Sequence, residues 1–168
     1  TIRATRNLVY DLSSPLLNEI GLEAAISEWA SKAITKQHDL EVQVIDDGRE
    51  KPLSEDVETI LFRNARELLT NVVKHANASS VVVSVARVGD TVKVSVADDG
   101  DGMDTNAAIQ KVAREGGFGL FSIQERMSDL GGSMETVSEP GQGCTIILSA
   151  PIAVTVAKTI AKTIAKVV

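Results

Sequence analysis

Five polar side chains in one stretch of this chain have the types and spacing for metal and acid–base chemistry. Asn64, Glu67, Asn71, Lys74 and His75 fall within an arc of about 100° when wound at 3.6 residues per turn. The carboxamide of Asn71 offers an oxygen to a hard cation such as Mg²⁺, and Glu67, one turn earlier, can orient a nucleophile or a metal-bound water. The same stripe also fits a plain solvated helix face, since charged stripes usually are one.

Two glycine-rich segments add to it. Asp98-Asp99-Gly100-Asp101-Gly102 follows the run TVKVSVA. A carboxylate at a strand end can accept a hydrogen bond from an exocyclic amine, and glycines two and four residues later let the backbone pass close to a flat ligand or a phosphate. A calcium loop is disfavoured, because such a loop needs glycine at its sixth position and counting from Asp98 the sixth residue is Met103. Gly116-Gly117-Phe118-Gly119-Leu120 opens a helical pattern, where free N–H groups can face a phosphate. Neither the strand–GxGxxG–helix fingerprint nor a GxxxxGK[ST] loop is present.

The elements that must position these groups are readable from periodicity. Residues 1–12 have the pattern of a helix end, and Ser13-Ser14-Pro15 stops or redirects it. Leu22 to about Gln37 repeats apolar residues at helical spacing, and Leu40–Ile45 alternates as a strand before Asp46-Asp47-Gly48. Ser54 is an N-cap for a helix running to about His75, with Glu55, Asp56 and Glu58 in its first turn. Val81–Val88 and Thr91–Ala97 are β-branched runs joined by Gly89-Asp90, a hairpin signal. Residues 98–119 have a loop composition with a short helix around Ala107–Ala113. Leu120–Leu130 is helical and closed by Gly131-Gly132, and Ser133–Val137 and Cys144–Ala150 are strands around EPGQG.

Composition bounds the function. The chain has 168 residues, 17 Lys plus Arg against 23 Asp plus Glu, a net charge of −6, and 3% aromatic residues. That excludes a broad electrostatic footprint for nucleic acid and stacking platforms for single strands. The lone Cys144 rules out an internal disulfide and fits a reducing, cytoplasmic compartment. No signal peptide is visible, and Thr145–Ala157 is too short and interrupted to span a bilayer. The chain opens on Thr1 in mid-pattern, as a segment of a longer protein would, and ends in a low-complexity repeat of Ala, Lys and Thr.

The order RELLTNVVKHANAS (66–79), DDGDGM (98–103), GGFGLFSIQERM (116–127), EPGQGCTIILSAP (139–151) resembles the ATP-binding catalytic domain of GHKL proteins. It is most similar to that of sensor histidine kinases over about residues 40–151. The upstream IRATRNLVYDLSSPLLNEIGLEAAISEWA resembles the junction after the dimerisation helices in the nitrate-sensor-like subfamily. The division implied is 1–20 as helix end and linker, 21–151 as catalytic domain and 152–168 as tail. The implied fold is a two-layer α/β sandwich, a mixed sheet with helices on one face. The resemblance implies Mg²⁺ on Asn71, Glu67 polarising the accepting group, and Lys74 and His75 near the phosphates of ATP. It places the adenine amine on Asp98 between Gly100 and Gly102, the triphosphate against Gly117, Gly119 and Leu120 at the end of a lid, and Thr145 or its neighbour at the adenine site. The family usually has threonine where this chain has Cys144, a weaker hydrogen-bond donor.

The implied reaction is transfer of the γ-phosphoryl group to a histidine on a dimerisation domain outside this chain, and then to a response regulator. The intact protein would be a homodimer, with a membrane anchor compatible with the resemblance, while the fragment alone would be monomeric. Gln37-His38-Asp39 imitates an acceptor pair but is followed by a strand pattern, so His38 reads as a loop histidine. Rival implications are a serine kinase of the anti-sigma type, with Glu67 as base toward a hydroxyl, and a non-catalytic nucleotide-binding module.

Overall fold

A computed structural model describes residues 14–104 and 118–152. Five strands form one sheet: β1 (Glu41–Asp46), β2 (Ser80–Val88), β3 (Thr91–Asp98), β4 (Ser133–Ser138) and β5 (Cys144–Pro151), in the order β1-β2-β3-β5-β4. β1 lies parallel to β2, and every other pairing is antiparallel. The described helices are α1 (Ser14–Ile20), α2 (Leu22–Ala30), α3 (Glu55–Asn71) and α4 (Phe118–Asp129). A π-helical turn extends α2 over Ser31–Thr35, and another extends α3 over Val72–Ala76. The parallel β1–β2 pair requires a long crossover, which α3 supplies.

Strand alternation divides the sheet. Val81, Val83 and Val85 on β2, Val92, Val94 and Val96 on β3, and Ile146, Leu148 and Ala150 on β5 are all buried. Their neighbours Ser84, Lys93, Ser95 and Ser149 stay partly or fully accessible, because successive side chains point to opposite faces. The helices cover the valine face only, with Leu61, Leu68 and Leu69 of α3, Ile26 of α2, and Ile123 and Met127 of α4 in one core. Each such side chain contributes about 1.5–3 kcal/mol by leaving water. The architecture is the expected two-layer sandwich.

α3 begins as its sequence requires. Ser54 has extended geometry, its Oγ accepts from the Val57 N–H at 3.4 Å, and Glu55, Asp56 and Glu58 occupy the first turn. Elsewhere the boundaries move. Ser14 starts α1 instead of merely ending the preceding pattern, because Pro15 falls in the first turn, where its missing N–H is no loss. Leu17 of α1 is buried in the core. The short helix expected at Ala107–Ala113, the helical pattern of residues 1–12 and most of the terminal repeat lie outside the described residues. No helix among the described residues is long and apolar enough to cross a membrane.

Between β1 and α3 the chain is pinned by one lysine. The side chain of Lys51 is 5% exposed, and its Nζ meets Asp46 at 2.5 Å, Asp47 at 2.7 Å, Glu23 at 3.1 Å and the Arg49 carbonyl at 2.9 Å. Burial works against the charged amine, but hydrogen bonds to Asp46, Asp47 and Glu23 outweigh it and hold Lys51 protonated well above its usual range. Lys51, and then the Arg87 backbone N–H, hold the Asp47 carboxyl far below the usual carboxylate range. A depressed carboxyl contributes stability that is present above its unfolded pKa and is lost as pH falls through the folded value. Lys51→Met should therefore lower the melting temperature at neutral pH by about 5 °C, and the gap to wild type should narrow in acid. Equal neutral-pH melting of the two proteins would remove this role.

Candidate functional site

The helical layer and the sheet do not close completely. A cavity of about 340 Å³ opens between α3 with its π turn, strands β3 and β5, and the first turn of α4, within the range of small-molecule sites. Its walls are mostly apolar, including Leu68, Val72, Val96, Met103 and Ile146, with Asn71, His75 and Asp98 as the polar groups.

Asp98 reaches this cavity because of sheet register. It lies opposite Val81 on β2 and Cys144 on β5, so it shares the helix-facing side of the sheet with the core valines. Burial raises its carboxyl above the usual range, against hydrogen bonds from the Gly100 and Cys144 backbones that favour the ionised form. The Gly100 N–H donates to Asp98 Oδ1 at 2.9 Å. Asp99, one residue on, has a different task. Its Oδ1 accepts from the Ser79 and Ser80 N–H groups at 2.8 Å each, and its Oδ2 from the Ser80 hydroxyl at 3.0 Å. These bonds hold Asp99 below the usual carboxylate range and tie the start of β2 to the end of β3.

The two glycine segments at 98–103 and 139–143 form one rim. The Asp101 N–H donates to the Ala76 carbonyl at 2.8 Å, and the Gly141 N–H to the Asp101 carbonyl at 2.6 Å. Ser138 Oγ accepts from the Met103 N–H at 2.9 Å and donates to the Gly143 carbonyl at 2.8 Å. Gly102 has φ +64°, and a Cβ there would stand 2.1 Å from the Glu139 carbonyl oxygen and 2.8 Å from that of Gly143. A Gly102→Ala substitution combines a left-handed backbone with a clash against backbone atoms, so it should cost about 2 kcal/mol or more. It should also open the cavity rim. Thermal melting reads the first effect and ligand binding the second; wild-type values for both would refute the rim's rigidity.

α3 sets the spacing along the cavity. Gly100 packs so close to the π turn that a Cβ would lie 2.1 Å from the Ala76 carbonyl oxygen. Asn71 closes the α-helical part of α3 just before the π turn that ends at Ala76, and Glu67 lies one turn, about 6 Å, further back. α4 starts beside both. A Cβ on Gly119 would be 3.7 Å from Glu67 Oε1 and 3.8 Å from Asn71 Nδ2, so this glycine brings backbone up to both polar groups.

Asn71, His75, Asp98, Gly102, Gly119 and Leu120 thus border one cavity. Other expected site residues stand elsewhere. Thr145 pairs with Ala97 and Val137 and so points to the opposite face of the sheet. Its neighbour Cys144 lines the cavity instead, with its thiol pushed up by burial. Lys74 is exposed on the π turn and does not line the cavity. Gly100 supports the rim from behind. Glu67 borders a separate groove with Trp29, Arg63, Arg66 and Thr70, and only its Oε1 approaches Gly119. Gly117 lies outside the described residues. His38 sits in an exposed turn before β1.

Sequence reasoning missed Arg126, whose guanidinium reaches Glu67 and Asn64 from α4. Asn64 belongs to the polar stripe, yet it is fully buried, which a solvated face would not produce.

The family described as histidine kinase-, DNA gyrase B- and HSP90-like ATPases matches residues 56–154. An uncharacterized sensor-like histidine kinase of Chloroflexus aurantiacus is 34% identical over 152 residues, covering 88% of this chain and 25% of that protein. The signal transduction histidine-protein kinase/phosphatase DegS of Brevibacillus brevis is 32% identical over 152 residues, covering 90% of this chain and 38% of that protein. The chain therefore spans well under half the length of these curated relatives. Among solved structures, a blue-light activated histidine kinase of Erythrobacter litoralis superposes with a TM-score of 0.62 at 22% identity, over 79% of this chain and 42% of that one. That likeness speaks for the fold.

Proposed function

Because the chain belongs to the family of histidine kinase-, DNA gyrase B- and HSP90-like ATPases, we propose that it is the catalytic ATP-binding domain of a sensor histidine kinase. In this reading it delivers the γ-phosphoryl group of ATP to a histidine on the protein's own dimerisation domain, from which a response regulator takes it. The observation that carries the reading is the order of groups along α3: the glycine rim against Ala76 beside Asp98, then Asn71, then Glu67 one turn further back, with Gly119 beside both. That order suits a base, a polyphosphate and an acceptor in turn.

In this reading the ionised Asp98 carboxylate accepts from the adenine amine, and the apolar walls shed water around the ring. His75 and the N–H groups at the start of α4 face the phosphates. No cluster of three His, Cys, Asp or Glu side chains suited to a metal occurs among the described residues. A Mg²⁺ ion would rest on the Asn71 carboxamide oxygen together with phosphate and water oxygens, the coordination this hard cation prefers. When bound, it would neutralise charge on the phosphates. Glu67 would orient the incoming imidazole, and positioning would do most of the work, as in phosphoryl transfer generally. The upstream residues 1–20 would be the end of the dimerisation helix and linker, and the intact protein a dimer through that domain.

The test mixes the chain with labelled ATP, Mg²⁺ and the separately produced upstream dimerisation domain. Acid-labile label on that domain, with none on the chain by itself, is the expected result. Acid-stable label on a serine would favour the anti-sigma type of kinase, and no transfer with tight nucleotide binding would favour a binding module.

A further inference from the structure

Glu67 is held by a side chain that does not line the cavity. Arg126, two turns into α4, donates from its terminal Nη2 to Glu67 Oε2 at 2.5 Å and from Nε to Asn64 Oδ1 at 2.8 Å. Asn64 is wholly buried, and its Nδ2 contacts Met127 Sδ at 3.4 Å. The guanidinium is therefore not a surface group that happens to meet a carboxylate. Its Nε arm is keyed into the core through Asn64, which leaves the other arm one direction to point. With Oε2 gripped, the carboxylate presents Oε1, the oxygen that stands beside Gly119, which Asn71 also approaches.

We propose that Arg126 is a positioning residue for phosphoryl transfer. It orients the Glu67 carboxylate so that Oε1 faces the acceptor. Charge-assisted bonds of this kind are about twice as strong as neutral ones and directional, which suits a group whose work is aim. Arg126 touches neither the cavity nor the proposed nucleotide contacts. Its loss should therefore act on transfer and spare binding.

This inference rests on the kinase reading above, and the experiment separates the two. In the full-length kinase, single-turnover autophosphorylation and ATP affinity are measured for Arg126→Met, Arg126→Lys, Glu67→Gln and the Arg126→Met/Glu67→Gln double variant. Arg126→Met should slow transfer about 10- to 100-fold, within the range of a positioned acid–base group, with ATP affinity within about twofold of wild type. Arg126→Lys, which keeps the charge but not the fork, should recover a good part of that loss. The double variant should be no slower than Glu67→Gln, because residues acting as a unit are non-additive. Unchanged transfer in Arg126→Met, additive losses in the double variant, or a loss matched by equal weakening of ATP binding would overturn the proposal. If Glu67→Gln transfers at the wild-type rate, the role given to Glu67 itself has failed. Should Arg126→Met not fold, Arg126→Gln keeps a hydrogen-bonding arm without the charge and is judged by the same criteria.

Discussion

Asp98→Asn lowers the affinity for ATP by about 10- to 100-fold and leaves the weaker binding of GTP nearly unchanged. The size follows from the kind of bond removed. A hydrogen bond to an ionised group contributes about 1.5–3 kcal/mol, and each 1.4 kcal/mol is a factor of ten. Asn keeps the shape of the side chain, so the cavity stays filled. It replaces one acceptor oxygen with a donor, and that donor would face either the adenine amine or the Gly100 N–H, which now donates to Asp98 Oδ1. Discrimination between ATP and GTP should shrink accordingly. The same residue sets a pH dependence. Burial raises the Asp98 carboxyl above the usual range, so the acceptor form is lost at a higher pH than for an exposed aspartate. ATP affinity should fall with decreasing pH earlier in the wild type than in Asp98→Asn, whose residual affinity has no such limb. Calorimetry with both nucleotides across pH 4–7, a window chosen around ordinary carboxylate titration, reads all of this. Equal ATP affinity in the two proteins would remove the base contact.

The second large effect is on rate. Glu67→Gln should slow phosphoryl transfer to the acceptor histidine by about 10²–10⁴-fold, the usual worth of a positioned general base or acid, while ATP binding holds. The separation is expected because Glu67 borders the groove of Trp29, Arg63, Arg66 and Thr70 and not the cavity proposed for the nucleotide. Gln fits the same space and can still accept from Arg126, so folding should survive. Single-turnover labelling of the full-length protein measures the rate, and equilibrium binding measures the affinity. A parallel fall in both would make Glu67 a binding residue, and no change in rate would take it out of the chemistry.

The parts of this fold that sequence reveals are those set by local period and by capping. The alternation in Val81–Val88 and Thr91–Ala97 marks both strands and the buried face, and Ser54 with its acidic first turn marks the start of α3. Asp98 and Asn71 are visible as site candidates because each sits beside a glycine segment or on a polar stripe. What sequence leaves open is set by register and by contacts between distant segments. Whether Cys144 or Thr145 faces the cavity depends on its pairing with Asp98, and alternation alone says only that the two differ. The division of labour between Asp98 and Asp99 depends on Ser79 and Ser80, nineteen or twenty residues earlier. Arg126 meets Glu67 across 59 residues and Asn64 across 62, a pairing that no helical or strand period encodes. Lys51 gathers Glu23, Asp46 and Asp47 in the same way, where composition shows only one more surface cation.

In the proposed function ATP sits in the cavity between α3 and the sheet, with its base on Asp98 and its phosphates toward Asn71. A crystal structure of the chain with Mg²⁺ and a non-hydrolysable ATP analogue tests it most directly. The expected result is the adenine amine within hydrogen-bonding distance of the Asp98 carboxylate and the Asn71 carboxamide oxygen on the metal. An analogue bound elsewhere on the chain, or seated in the cavity with its phosphates at Asp98 and its base at Asn71, would contradict it.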